Sequence, residues 1–448
     1  MSIAENSGFV ILANILQLGT SLALGVLGAR LLGPAGKGEL YLVIQLSSML
    51  GLMLAAGLGP SYQYHIKNGS LGLAAVLSHA ASQTAVVCGI TLLLVVFARP
   101  LLPLAGAGAL STGMVQLTGI AIVANVLINY TSCVLMTFAN GILWNSLISV
   151  ATSVGTLLLF VVIVAWLHFG TYGAVLAYVM LLGVRVAWIA WLISKHVWRQ
   201  ARPGWKASGQ LYRFGLTILL GNIMLTYAFR IDVFLVNGML STAALGIYSV
   251  AVAFAELVLM CPGALGIALF AHLPGVNHQE QLRILGKASR LTLATSAIAG
   301  LSILAISHPL VTLLMGRRFE AAVVPLCVLV PGLVAMSVNY VFTNYFAAKN
   351  QSLLNAACFA IGAAVDVGAD LWLIPRMGVT GAAVGSTIAY IVITMSFLLL
   401  LHTKEGLRLE SVLVINREDV LEIRQRLKTM MPRHSARLQR HVETTGNI

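Results

Sequence analysis

The residues in this 448-residue chain with most chemistry to offer are charges set inside apolar runs. Arg230 and Asp232 share one such run, and Glu256 lies in the next. Asp366 and Asp370 stand one helical turn apart in a later run, while Arg30 and Arg185 are embedded singly. A charge near the centre of a bilayer costs at least ~3 kcal/mol, so residues of this kind are paired, reach the interface or face water. Asn222, Thr226 and Arg230 recur every four residues and form one polar stripe on a helix. Asp232, two positions beyond Arg230, points about 200° around the same helix, so the two do not pair with each other. Asn14, Gln17 and Ser21 make a corresponding stripe early in the chain, and Asn145, Ser149, Ser153 and Thr156 another.

Guanidinium groups bind phosphate oxygens through two parallel hydrogen bonds. Arg outnumbers Lys inside the apolar runs, which points to an anionic, phosphate-bearing ligand. Arg230 is its first candidate contact and Arg30 and Arg185 are the others, with Asn222, Thr226, Asn14 and Gln17 as polar lining. Asp232, Glu256, Asp366 and Asp370 have two readings. They are structural ion pairs or hydrogen bonds between helices, or, for Asp366 and Asp370, a site for a coupling cation or proton.

Other chemistry fails on spacing. Gly33-Pro34-Ala35-Gly36-Lys37-Gly38 resembles a phosphate loop but lacks its spacing and its Ser or Thr, so it reads as a tight turn. The five cysteines are scattered through apolar segments and no zinc-binding histidine pair occurs, so no metal or cofactor is implied.

The elements that must carry these residues follow from composition. The chain is 59% hydrophobic and 9% charged, with mean hydropathy +0.92, against about 25% charged residues in soluble domains. Apolar runs of ~20 residues, each able to span ~30 Å of hydrocarbon, recur near 8–30, 39–62, 73–97, 113–138, 144–167 and 172–194, then near 212–238, 243–270, 287–307, 321–346, 352–374 and 379–402. Short loops between them leave no aqueous platform for a membrane enzyme. The net charge of +13 collects in alternate connections, among them Lys195, Arg199, Arg202, Lys206 and Arg213, then Arg283, Lys287 and Arg290, and in the tail. That is the positive-inside bias, which places both termini in the cytoplasm and argues against nucleic acid as partner.

Shifted by 208 residues, the chain overlays itself without a gap. Ala13-Asn14-Ile15 falls on Gly221-Asn222-Ile223, Gly38 on Gly246, and Phe138-Ala139 on Phe346-Ala347. Gly170-Thr171-Tyr172-Gly173-Ala174 falls on Gly378-Val379-Thr380-Gly381-Ala382. The expected organisation is a six-helix lobe over 1–194, a basic connection over 195–211, a second lobe over 212–402, and a tail over 403–448. In the tail, Asn416 could cap an amphipathic helix with Val420, Ile423, Leu427 and Met430 on its apolar face. Duplicated lobes around a central site are typical of secondary transporters.

The stretch Ala29-Arg30-Leu31-Leu32-Gly33-Pro34-Ala35-Gly36-Lys37-Gly38 resembles the opening motif of Wzx-type polysaccharide flippases, in the superfamily of MATE exporters and lipid II flippases. So does Asp232 followed by Leu245-Gly246-Ile247-Tyr248-Ser249-Val250-Ala251. Leu314-Met315-Gly316-Arg317-Arg318-Phe319-Glu320-Ala321-Ala322 and Leu373-Ile374-Pro375-Arg376-Met377-Gly378-Val379-Thr380-Gly381-Ala382-Ala383 are similar to its second-half pattern. The resemblance covers about residues 5–402. It implies an all-α, V-shaped, MATE-like membrane protein of twelve helices in two six-helix lobes. It further implies transport of undecaprenyl-pyrophosphate-linked oligosaccharide across the bacterial inner membrane by alternating access, for lipopolysaccharide or exopolysaccharide synthesis. Implied partners are that lipid-linked oligosaccharide, membrane lipids, and a polysaccharide polymerase with other assembly proteins. Twelve spans set the chain apart from the fourteen of lipid II flippases, and its first span lacks the acid many MATE exporters carry. A cation-coupled drug or metabolite exporter is the rival reading; a membrane polymerase or ligase is a weaker one.

Overall fold

The computed structural model describes residues 3–97, 110–197, 208–260, 262, 277–349, 351–407 and 410–413. The expected basic connection beyond Val197, the end of the eighth apolar run and the amphipathic tail helix lie outside the described residues. No strand occurs among those described, which is the outcome in a medium that leaves backbone groups only each other to bond with.

Helix α1 (Ile3–Leu54) carries the first apolar run and most of the second, interrupted only at Gly33, whose φ of 68° and ψ of −174° are not helical. Lys37 Nζ nevertheless reaches back to donate to the Gly25 carbonyl at 3.0 Å. In a straight helix these positions would stand about 18 Å apart, so the chain reverses at Gly33. The tight turn expected over 33–38 is thus confined to one residue. Gly33 supplies the positive φ, and Pro34 can open the next helix because its missing N–H is not needed there. The second run breaks again at Ala55–Gly57 and ends as α2 (Leu58–Lys67).

The first lobe continues with α3 (Leu73–Val96), α4 (Thr112–Leu135), α5 (Gly141–Phe160, then a π-helical turn to Trp166) and α6 (Gly170–Val197). The second lobe holds α7 (Ser208–Met239), α8 (Thr242–Ala255, then a 3₁₀ turn Glu256–Leu259) and α9 (His278–Leu314). It goes on through α10 (Val323–Ser337), α11 (Asn339–Ala348), α12 (Ser352–Met377) and α13 (Val379–Glu405), before the short α14 (Glu410–Leu413). Eleven described helices are long and apolar enough to cross a membrane, α1 counting once although it carries two runs. Their outer faces show why a bilayer must cover them: Leu313 is 71% exposed and Leu399 64% exposed.

The 208-residue repeat reappears in three dimensions. Helix α6 opens at Gly170 (φ 57°) and α13 just after Gly378 (φ 60°), and they end at Val197 and Glu405. Where α1 meets α8, a Cβ added to Gly38 would lie 1.8 Å from the Thr242 carbonyl oxygen. One added to Gly246 would lie 1.9 Å from that of Pro34. The 208-residue shift carries Gly38 onto Gly246 and Pro34 onto Thr242, so each contact is the other's counterpart, a pseudo-two-fold axis runs between them, and only glycine permits the approach.

That contact closes the lobes at the tip, the end where α1 reverses. Arg30 adds to it from α1, with Nε donating to the Leu314 carbonyl at 2.9 Å and Nη2 to that of Leu313 at 2.5 Å. The lobes also meet at the base, where α7 begins. There the Ser61 hydroxyl donates to the Leu211 carbonyl (2.9 Å), the Tyr212 hydroxyl donates to Gln83 Oε1 (2.5 Å), and Tyr64 stacks on Phe214 (4.2 Å). Among the described residues the lobes therefore touch at both ends.

Candidate functional site

Helix α7 presents two chemically different faces, set by the offset of about 200° between Arg230 and Asp232. Arg230 turns toward Glu256, the first residue after α8 loses its α-helical pitch. Nη2 donates to Glu256 Oε2 at 3.2 Å, while Nη1 lies 2.7 Å from Oε1 without the angle of a hydrogen bond. The two side chains remain 22% and 30% exposed. They line a cavity of about 400 Å³ together with Thr226, Phe229, Met260 and Tyr340. Tyr41 of α1 and Tyr340 of α11 stand within electrostatic reach of the pair.

A larger cavity, about 1110 Å³, runs along the same side of α7 past Arg213, Thr217, Asn222 and Phe229, facing Asn355 and Phe359 of α12. Lys404 and His65 also line it, and Leu225, Phe229 and Tyr340 border both spaces. The stripe of Asn222, Thr226 and Arg230 therefore opens along its length onto these two adjoining cavities. One end of the larger cavity is cationic, its walls mix amides with apolar side chains, and its continuation meets the arginine.

The opposite face of α7 is dry. Asp232 is 2% exposed; Oδ1 accepts the Val233 N–H at 2.7 Å, and Oδ2 accepts from the Tyr248 hydroxyl and from Ser386 at 3.2 Å. Asp366 and Asp370 of α12 lie within electrostatic reach of it and are themselves 1% and 0% exposed. Both oxygens of Asp370 and one of Asp366 find no hydrogen-bond partner among the described residues. No group of three or more His, Cys, Asp or Glu stands at metal-binding spacing among those residues.

The other sequence candidates fall away from this site. Arg30 spends its guanidinium on the last carbonyls of α9, where a cation meets unpaired helix-end acceptors. Arg185 is half-buried on α6 with its Nε unpartnered, and it lines neither cavity. Asn14 is exposed and Gln17 half-exposed on the base half of α1, again outside both cavities. The repeat explains the one-sidedness: Leu22, Ser48, Leu158 and Val162 occupy the positions that hold Arg230, Glu256, Asp366 and Asp370 in the second lobe. Sequence reasoning gave no role to Tyr248, which it met only inside a family-like motif, and passed over Ser386, a neutral hydroxyl that carries no signal inside an apolar run.

Neither a protein-family model nor a curated relative matches the chain. Solved structures do. The lipid II flippase MurJ in an inward closed conformation superposes with a TM-score of 0.77 at 14% identity, over 88% of this chain and 87% of that one. A multidrug resistance MATE family transporter of the MOP superfamily, inward-facing, gives 0.68 at 17% identity over 87% and 94%. An outward-facing one gives 0.61 at 14% identity over 90% and 95%. The fold is that of the MOP-superfamily transporters, as in MurJ and the MATE proteins.

Proposed function

We propose that this protein is a flippase that carries an undecaprenyl-pyrophosphate-linked oligosaccharide from the cytoplasmic to the periplasmic leaflet of a bacterial inner membrane. In this reading the lobes alternate access around the α7 cavities, and the product feeds a polymerase and other assembly proteins of surface polysaccharide synthesis. The basic connections put the base, and both termini, in the cytoplasm. The observation that carries the reading is a guanidinium held partly exposed in a cavity within a membrane-spanning helix. A diphosphate has no apolar route across a bilayer, and a fixed cation along the route lowers that barrier. The adjoining larger cavity suits the rest of such a cargo, since amides can bond sugar hydroxyls while Phe229 and Phe359 offer apolar surface.

The dry carboxylates on the other face of α7 are the coupling site in this proposal. Three acids within electrostatic reach of one another and so desolvated hold together only with protons among them. Uptake at Asp232, Asp366 and Asp370 would then alter how α7 packs on α12, and with it the attitude of Arg230. A drug exporter for cationic compounds fits less well, because Asp232, Asp366 and Asp370 are hidden and Glu256, which does line a cavity, is paired with Arg230, while the larger cavity carries arginine, lysine and amides.

The test is Arg230→Gln, with membrane abundance and surface glycan measured in the same strains. The expected result is normal abundance, lost glycan, and lipid-linked oligosaccharide accumulating in the cytoplasmic leaflet. Arg230→Lys should keep partial function, since it retains the charge but not the planar fork. Normal glycan export by Arg230→Gln at normal abundance would overturn the assignment.

A further inference from the structure

We infer that Glu256 is an internal stand-in for the cargo phosphate, a displaceable anion that sets how much negative charge a ligand must bring to reach Arg230. The inference rests on the reading of Arg230 as a phosphate contact. The carboxylate offers two oxygens to the two terminal nitrogens of Arg230, as a phosphate would. Its hold is imperfect, because only one of the two contacts has hydrogen-bond geometry. Among the described residues the Glu256 carboxylate has no other hydrogen-bond partner, and the pair is wet enough to be weak. Asp232 is the contrast on the same helix: sealed from solvent and bonded from three sides.

The backbone beneath Glu256 also permits movement. Helix α8 ends at Ala255, and Glu256 opens a short 3₁₀ turn, a geometry that inside a longer helix often marks a hinge. The fold does not need the pair. The equivalent positions in the first lobe are Leu22 and Ser48, and that lobe builds the same helices around them.

A consequence for selectivity follows. Ordinary phospholipids surround the protein in large excess, and each anionic one offers a single charge on its phosphodiester. A glutamate already seated on Arg230 matches that charge and holds such lipids off, whereas a pyrophosphate brings more charge and displaces it. The carboxylate acts against the wrong ligand more than for the right one. It also neutralises Arg230 in the empty protein, so both ends can close without cargo and without a bare cation in the cavity.

Binding by the purified full-length protein decides this, with farnesyl pyrophosphate and phosphatidylglycerol as probes and native mass spectrometry as the readout. Wild type should favour the pyrophosphate. Glu256→Gln should tighten phosphatidylglycerol by about two- to fivefold, within reach of one partly exposed ion pair, and so narrow the preference. Glu256→Ser, the residue of the first lobe at that position, should do the same and guards against a folding defect peculiar to glutamine. Unchanged or weaker phosphatidylglycerol binding by both folded variants, with pyrophosphate binding still dependent on Arg230, would overturn the role of Glu256 alone. Pyrophosphate binding that survives Arg230→Gln unchanged would overturn the phosphate site and this inference with it.

Discussion

The reciprocal glycine contact between α1 and α8 invites a perturbation whose size can be worked from geometry. A methyl group on Gly38 would sit 1.8 Å from the Thr242 carbonyl oxygen, where ordinary contact begins at 3.4 Å. Thr242 belongs to backbone that cannot rotate away, so α1 and α8 would have to part by about 1.5 Å to restore normal separation. Overpacking of this kind costs about 1–3 kcal/mol. Charged against the tip-closed state alone, that is about a five- to 150-fold shift toward states open at the tip. Gly246→Ala should act as Gly38→Ala does, because its methyl would meet the Pro34 carbonyl at 1.9 Å across the same axis. The double variant should fall short of the summed effects, since one methyl already opens the gap the second needs. Pulsed electron paramagnetic resonance between nitroxides at Phe169 and Leu313, exposed positions near the tip ends of α6 and α9, would measure the shift. A longer distance population should grow in either variant and the transport rate should drop. Unchanged distance distributions in two well-folded variants would refute the argument, and with it the role of the contact as the tip closure.

Two further outcomes can be checked independently. Single cysteines along α7 should react with aqueous thiol reagents at 222, 226 and 229 but not at 228, 232 and 233, which are buried; uniform protection would show that the stripe meets no water. Asp232→Ala should lower membrane abundance, as it strips three hydrogen bonds from a sealed site, a loss of about 3 kcal/mol or more. Asp370→Asn should leave abundance intact and stop transport; full transport at normal abundance would remove Asp370 from coupling.

What could be read from the sequence was whatever local geometry imposes on residue type. Gly38 and Gly246 coincide in register because two backbones meet there, and Gly170 and Gly378 because both connections need a positive φ. The stripe of Asn222, Thr226 and Arg230 was legible because a helix repeats its faces every 3.6 residues. Legibility stopped where the answer depended on a second element. An ion pair between helices was already one of the two readings open for Glu256, and it pairs with Arg230; what no pattern within α8 announces is that α8 ends at Ala255 beneath it. Arg30 looked like a ligand contact because nothing near it in sequence reveals that the carbonyls at the end of α9 lie beside it. The roles of Tyr248 and Ser386 emerge only once folding places their hydroxyls on Asp232.

The duplication and the charges make opposite demands on this chain. Matching helices in both lobes allow one closing contact at the axis to serve each lobe identically, as the Gly38 and Gly246 pair shows. Ionisable groups in both lobes would have faced each other across that axis, and each added buried charge brings its own desolvation cost. Concentrating Arg230, Glu256, Asp232, Asp366 and Asp370 in the second lobe incurs that cost once. It also sets the cavity side and the sealed side of a single helix back to back, two residues apart. Any change of charge at Asp366 or Asp370 is felt on α7 through Asp232, which stands within electrostatic reach of both. Under the proposed coupling, α7 would be the element through which proton uptake and cargo release communicate, while the first lobe, with leucine, valine and serine at the matching positions, supplies surface that α7 and α8 pack against.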